Sequence, residues 1–315
     1  MPEFANTLQV IVADQVRDRI ADAIYNRLPL LGFWLSTNQN VETNLGEWFH
    51  IPVQIAPGQS GRWITGGETI PNVRVDNVRS MRFQLGEIAV ALDFFRRELL
   101  HAANVRRGLG NLISQQVQTA LLQMRQDVSN AIINGVAGYT LIDSLHSAVN
   151  NTGTYGQLSR VTYPALNAYV NNAASTLSIT FIKGLISQVS RQGVNPNLIV
   201  TTPELYSAFD ALIEDKRTLF TTTNTVETDY GKIGFSGFLI NGTTTVIQDA
   251  AVPANNMFAL YTPVFALGFA DDGFFAVSEV LESWDQLAYR LKIVCDLQFY
   301  CVNPRFNARA TNVTP

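Results

Sequence analysis

The chain has 315 residues, of which 47% are apolar and 15% are charged, and its formal net charge is −4. This composition is sufficient for a sizeable folded core, whereas only four lysines and no basic run argue against specific nucleic-acid binding. No apolar stretch reaches the roughly eighteen residues that cross a bilayer, and the N-terminus lacks a signal-peptide pattern, so neither membrane insertion nor secretion is predicted.

An amphipathic helix is predicted near the N-terminus. Val12, Val16, Ile20 and Ile24 recur every four residues, and polar side chains occupy positions between them. This is the pattern of a helix with one apolar face. The helix either packs on its own core or docks as an arm on a neighbouring subunit, and the residues leave both readings open.

Two alternating segments frame a region rich in glycine and proline. The first covers residues 48–55, and the second begins at Met81 and shifts phase at Gly86, where a bulge or bend is expected. The pattern predicts a long two-stranded finger, which is marginal in water by itself and gains stability by lying on another chain. Burial within its own chain is the more conservative expectation for Trp48. The residues predicted to contact another subunit are Trp48, Arg62, Trp63, Arg74, Arg79 and Arg82, with the arginines meeting acidic partners.

A long helix is predicted after this region. Apolar residues from Ile113 to Ile132 form one stripe, Arg125 and Asp127 lie off it, and Gly135 marks the end. A helix with a single apolar stripe is expected to lie across a sheet with its other side open.

An α/β pattern follows the Asn-, Gly-, Ser- and Thr-rich stretch at residues 150–159. Residues 198–200 form a short apolar run typical of a central strand, and Thr202 and Pro203 suit the N-cap and first position of a helix. Asn241-Gly242 between two apolar runs signals a hairpin. These features predict a second compact domain of about one hundred residues.

The final segment, residues 287–302, alternates between apolar and polar side chains and predicts a strand with one buried face. At roughly 3.3 Å per residue the strand would run about 50 Å, far beyond an ordinary globular strand. Its length favours an extended, flattened building block over an enzyme. Cys295 and Cys301 lie on its apolar face, too far apart to pair with each other, and are expected to be buried free thiols.

Four sets of residues, in their order along the chain, carry a family resemblance. They are LIDSL with GTYGQLSR (141–145 and 153–160), NPNLIVTTPELY (195–206), GFSGFLINGTTTVIQDAAVPANNMFAL (234–260) and LQFYCVNPRFNAR (297–309). Together they resemble tailed-bacteriophage major capsid proteins with the Hong Kong 97-like fold, which is an α+β fold. The resemblance implies an N-terminal arm (1–45), an extended loop (46–93), a peripheral domain with a long spine helix (94–160), an axial domain (161–270) and return strands of the peripheral domain (271–315).

The function implied by this resemblance is self-assembly through pentamers and hexamers into an icosahedral head that encloses double-stranded DNA without sequence-specific binding. The expected partners are copies of the same chain, a portal and a separate scaffolding protein, with a cement protein left open. The expected location is the virion, after assembly in the host cytoplasm. Some relatives cross-link their extended loop through a lysine, but residues 46–93 contain none, so no such isopeptide bond is predicted.

Two alternatives to a phage coat are an encapsulin shell and a hydrolase. Encapsulin shells resemble a phage coat and enclose protein cargo, although the long loop and the arm favour a phage. A hydrolase site could be imagined at Asp143, Ser144 and His146, but a surface ion pair or a helix-end contact is the commoner use of such spacing. No catalytic, cofactor-binding or metal-binding residue is predicted.

Overall fold

The computed structural model describes residues 29–37, 41–43, 45–56, 66, 77–95, 108–135, 142–214, 238–240, 244–270, 275–278, 281–282 and 288–315. The helix predicted at residues 12–24 lies outside these ranges, as do Arg62, Trp63 and Arg74. Within them, no helix has the length and apolar character needed to cross a membrane.

Five α-helices and eighteen strands are found in the described ranges. The helices are α1 (Pro29–Thr37), α2 (Gly108–Asn134), α3 (Leu145–Ala148), α4 (Ile179–Ser190) and α5 (Pro203–Glu214). The strands are β1 (Val41–Glu42), β2 (Trp48–Gln54), β3 (Val78–Gln84), β4 (Gly86–Phe95), β5 (Thr154–Tyr155), β6 (Leu158–Ser159), β7 (Tyr169–Asn171), β8 (Ser175–Thr176), β9 (Leu198–Thr201), β10 (Phe238–Ile240), β11 (Thr244–Gln248), β12 (Met257–Leu260), β13 (Phe265–Phe269), β14 (Ala276–Val277), β15 (Leu281–Glu282), β16 (Ala288–Cys301), β17 (Ala308–Ala310) and β18 (Val313–Thr314).

The first sheet is organised around β16, which confirms the long final strand predicted from alternation. This strand of 14 residues pairs with β4, β13, β14 and β15, and β1 joins through β13. Leu291 and Ile293 are buried while Arg290 and Lys292 are exposed. From Leu297 onward every side chain is buried, because this end of the strand is covered on both faces.

The bend predicted at Gly86 is confirmed. Strand β3 ends at Gln84 and pairs with β2, whereas β4 begins at Gly86 and pairs with β16. The chain therefore changes sheets at this glycine. The consequence is that β2 and β3 form a separate two-stranded sheet, here named the extended hairpin.

The long helix predicted from the apolar stripe between Ile113 and Ile132 is confirmed as α2, which spans 27 residues. Val117, Met124 and Val128 are buried on its apolar stripe. Gly135 ends the helix with a positive φ of 78°, and its N–H donates to the Ala131 carbonyl at 2.9 Å. Arg125 was expected off the apolar stripe, but it is only 3% exposed. Its position, eight residues after Val117 and three before Val128, places it on the same side of the helix as these buried residues.

The second sheet has the strand order β10-β11-β9-β12-β17-β7. Residues 198–200 form the central strand that the sequence predicts, and all are buried. Leu198 and Val200 belong to the core shared with the first sheet, whereas Ile199 belongs to a second core beneath α4 and α5. Thr202 starts α5 as predicted, because its Oγ1 accepts a hydrogen bond from the Leu205 N–H at 3.3 Å.

Two further predictions are confirmed by the sheets. Strands β10 and β11 pair antiparallel, as expected for the hairpin around Asn241-Gly242. Cys295 and Cys301 are buried and free. Burial raises the pKa of the Cys295 thiol to about 12 and also raises the pKa of Cys301, so both thiols are inert hydrophobic side chains at neutral pH.

Candidate functional site

The extended hairpin has two different faces. Its register pairs Trp48 with Gln84 at one end and Gln54 with Val78 at the other. Because side chains alternate across a strand, Phe49, Met81 and Phe83 share an inner face, and the residues between them form an outer face. The outer face comprises Trp48, His50, Pro52, Gln54, Val78, Ser80, Arg82 and Gln84.

The inner face is anchored in an aromatic cluster. Met81 is fully buried and Phe83 is 2% exposed. The Phe83 ring stacks on Tyr300 with centroids 5.4 Å apart and meets the edge of Tyr155 at 5.6 Å, while Phe49 lies 5.2 Å from Tyr300. Each such aromatic pair contributes about 0.5–1.5 kcal/mol beyond its buried area. The root of the hairpin is therefore held firmly against the first sheet.

A tight turn formed by β5 and β6 supports the other side of β3. The Arg82 N–H donates to the Gly156 carbonyl at 3.0 Å. Gly156 has a φ of +53°, and a Cβ added there would lie 2.7 Å from the Met81 Cβ. Only glycine allows this close approach, which explains one glycine of the GTYGQLSR segment.

The outer face is exposed and combines aromatic, apolar and cationic groups. Trp48 and Val78 are 43% and 50% exposed. The Arg82 guanidinium carbon lies 5.5 Å from the centroid of the Trp48 ring, a distance at which cation–π attraction operates. The His50 Nδ1 lies 3.3 Å from the Ser80 Oγ. Tryptophan and arginine are the residue types most enriched in the energetic centres of protein interfaces.

The structure brings together two of the six predicted contact residues, Trp48 and Arg82. The conservative expectation that Trp48 is buried is wrong, because Phe49 takes the inner position and alternation then places Trp48 outside. Arg79 is half-buried opposite Val53, and its Nη1 donates to the Val78 carbonyl at 3.1 Å. The register also adds His50 and Val78 to the outer face. Strict alternation from Trp48 could have identified His50, whereas Val78 lies on the neighbouring strand and its face follows from the register.

The constellation of Asp143, Ser144 and His146 has a structural role at the ends of α3. Ser144 is the N-cap, and its Oγ accepts from the Ser147 N–H at 3.1 Å. The Ser147 Oγ donates to Asp143 Oδ1 at 3.3 Å, and the His146 carbonyl accepts from Arg309 Nη1 at 3.2 Å. Within the described ranges, no hydrogen bond joins the His146 ring to Asp143 or Ser144.

The helix-end contact favoured for these residues is therefore confirmed, whereas a surface ion pair is wrong, because both Asp143 and His146 are largely covered. Burial raises the pKa of Asp143 to about 6, against the opposing effects of its Ser147 hydrogen bond and of Arg160. Burial also lowers the pKa of His146, helped by the Arg309 charge.

A family model described as SU10 major capsid protein matches residues 100–279, which is more than half of the chain. The chain belongs to the SU10 major capsid protein family. The match spans the long helix, α3 and most of the second sheet. As a major capsid protein, the chain is a structural protein of the virion shell that associates with copies of itself.

Solved structures show the fold of this capsid protein. It is similar to the capsid asymmetric unit of cyanophage A-1(L), with a TM-score of 0.69, 16% identity, and coverage of 92% of this chain and 94% of that chain. The capsid of a native GTA particle gives a TM-score of 0.57 at 13% identity, covering 89% and 90% of the two chains.

The holo-SrpI encapsulin complex of Synechococcus elongatus PCC 7942 gives a TM-score of 0.55 at 12% identity, covering 89% and 87%. A search of curated proteins found no match. The Hong Kong 97-like fold predicted from the sequence is confirmed.

Proposed function

We propose that this capsid protein assembles through pentamers and hexamers into an icosahedral head that encloses the double-stranded DNA genome of a tailed phage. The family match carries the proposal. The shape of the subunit supports it, because a hairpin with a buried root and an exposed aromatic outer face is suited to contact between copies.

The outer face of the extended hairpin is the proposed contact surface. In an isolated subunit, Trp48 and Val78 expose large apolar area, and covering that area by a neighbouring copy is favourable. Arg82 already lies over the Trp48 ring, so its charge is positioned to meet an acidic group at the rim. Arg79 lies at an inner-face position opposite Val53, so it is a proposed contact residue beside this surface and not on it. Arg62, Trp63 and Arg74 are also proposed contact residues and lie outside the described ranges.

The charge of the chain suits a container for DNA. Each phosphate that lysine or arginine neutralises adds affinity that does not depend on base sequence, and tightly packed DNA must be able to slide. A net charge of −4 with only four lysines supports enclosure of the genome without specific binding.

Alanine variants of Trp48 and Arg82 test the contact surface. We expect W48A and R82A to keep the denaturation midpoint of the subunit but to lose closed particles in electron micrographs, because their side chains contribute more to the outer face than to the core. Arg191 is also exposed, at the end of α4, and R191A is the matched control. Normal yields of closed particles from the W48A/R82A double variant would refute the contact role.

Deletion of residues 58–72 gives an independent test of the same loop. We expect a soluble subunit that forms no closed shells. Particles of normal shape from this deletion would contradict the proposed role of residues 46–93 in assembly.

An encapsulin-like compartment is the second candidate, and the similarity to the Synechococcus encapsulin supports it. Purified particles distinguish the two functions by their contents. Nuclease-protected DNA supports the phage head, whereas a co-purifying cargo protein supports the compartment. The protein composition of the same particles, sampled during and after assembly in the host cytoplasm, tests for a portal, a scaffolding protein and a cement protein.

A further inference from the structure

A buried cation lies beneath the extended hairpin. Arg160 is 0% exposed, and its Nη2 donates to two successive carbonyls at the end of α3, Ser147 at 2.8 Å and Ala148 at 2.9 Å. Its guanidinium carbon also lies 5.2 Å from the centroid of the Tyr155 ring. Three contacts therefore define the position of this one side chain.

Tyr155 connects the arginine to the hairpin. Its ring lies in an edge-to-face arrangement with Phe83 of β3, and its Oη accepts a hydrogen bond from the Cys301 N–H at 2.7 Å. The turn that carries both Tyr155 and Arg160 also accepts the Arg82 N–H at Gly156. The turn that carries Arg160 is thus connected to β3 by the Tyr155 ring and by the backbone hydrogen bond at Gly156.

A second path of hydrogen bonds links the end of the hairpin to the same helix. Gln298 of β16 donates through Nε2 to the Gln84 carbonyl at 2.8 Å and accepts the Asp143 N–H through Oε1 at 3.0 Å. Asp143 in turn accepts from the Ser147 Oγ, and the carbonyl of Ser147 accepts from Arg160. A continuous series of hydrogen bonds therefore links the extended hairpin, β16 and α3, and it includes Arg160.

The arginine is not explained by stability alone. Its Nε and Nη1 are buried without a hydrogen-bond partner within the described ranges, and buried unpaired donors destabilise a fold. An apolar side chain of similar volume removes these two unpaired donors, although it leaves the Ser147 and Ala148 carbonyls without the donor that they have in wild type. An apolar side chain makes no directional contacts, whereas the guanidinium bonds to both carbonyls while it lies over the Tyr155 ring.

We propose that Arg160 is a positioning residue that fixes the direction in which the extended hairpin leaves the subunit, and thereby the curvature of the shell. The proposal rests on the proposed role of the hairpin in contact between copies. Its first part concerns the subunit alone and is measured separately.

Hydrogen exchange of the full-length unassembled chain tests the first part. In R160M, we expect the Arg82 amide to exchange about tenfold faster or more relative to the Val200 amide of the central strand β9 in the same sample, as its bond to Gly156 opens. R160K should restore part of the protection, since its ammonium reaches the two carbonyls without the planar stack. Wild-type protection of the Arg82 amide in R160M would overturn the proposal.

Electron microscopy of assembled R160M tests the second part. We expect open sheets or particles of mixed diameter, with R160K closer to wild type. Uniform particles of wild-type diameter would overturn the link to curvature. If R160M does not fold, R160K replaces it, because its ammonium keeps a donor to the two carbonyls but lacks the planar group over the Tyr155 ring. Unchanged Arg82 exchange and uniform particles in R160K would then overturn the proposal.

A failure of the proposed contact role of the outer face can be distinguished from a failure of the proposed role of Arg160. Normal assembly of the W48A/R82A double variant would refute the contact role of the outer face. The Arg82 exchange rate in R160M is independent of that result, because it is measured before copies associate.

Discussion

Substitution of Gly156 by alanine separates two reasons for a glycine in the turn beneath the hairpin. The first reason is backbone conformation, because Gly156 has a φ of +53°. The second is space, because the added Cβ would lie 2.7 Å from the Met81 Cβ, 3.0 Å from the Met81 Cγ and 3.2 Å from the Phe83 Cζ. A Cβ cannot rotate away, so β3 itself must shift.

The matched control is Gly153→Ala in the same turn. Gly153 also has a positive φ, of 80°, but no atom lies within 4 Å of its added Cβ. Both variants incur the left-handed backbone penalty of roughly 1–2 kcal/mol. Only G156A adds overpacking, which costs about 1–3 kcal/mol. We therefore expect G156A to lose roughly 2–5 kcal/mol of unfolding free energy and G153A no more than about 2 kcal/mol.

Urea unfolding of the full-length chain, followed by tryptophan fluorescence, measures both values. Unchanged m-values with different midpoints would show that stability alone has changed. The expected result is a clearly lower midpoint for G156A than for G153A. Equal midpoints would refute the close packing of this turn on β3, because the backbone penalty is common to both variants.

Three further predictions concern the buried and exposed polar and aromatic groups. Phe83→Ala removes a buried ring from the aromatic cluster and should lower the free energy of unfolding by about 3–5 kcal/mol in the same urea assay. Phe49 is only half-buried, so a smaller loss for Phe83→Ala than for Phe49→Ala would contradict the anchoring role of Phe83. Burial raises the pKa of Asp143 from 3.8 to about 6 in the folded chain. The difference in pKa between the folded and the unfolded chain therefore stabilises the fold below pH 4, and this stabilisation is lost as the pH rises through 6. Relative to D143N, wild type should therefore lose up to about 3 kcal/mol between these pH values, and a constant difference across this range would refute the burial of the carboxyl. The exposed ion pair between Asp93 and Arg290, at 2.6 Å, contributes little, and D93N should leave the midpoint near that of wild type; a large shift would show that the pair matters more than its exposure implies.

Local periodicity was sufficient to predict the long strand β16, the long helix α2 and the bend at Gly86. The alternation of residues 287–302 predicted β16 to within a residue at each end, and the spacing of apolar residues predicted α2 and its end at Gly135. The phase shift at Gly86 predicted the change of direction between β3 and β4. These features follow from repeats of two and 3.6 residues, which depend only on the chain itself.

The candidate site required the tertiary structure. Alternation along β2 predicts that Trp48 and His50 share a face. It does not predict which face of the strand pair packs against the core. The aromatic cluster of Phe83, Tyr155 and Tyr300 decides that, and its members are far apart in sequence.

The sequence by itself therefore determined the long strand, the long helix, the bent hairpin and the family resemblance. Only the tertiary structure decided that Trp48 is exposed and that Arg125 and Arg160 are buried. The reason is physical. The period of a segment is a local property, whereas the burial of a long amphipathic side chain depends on which distant segment covers it and offers its polar end a partner.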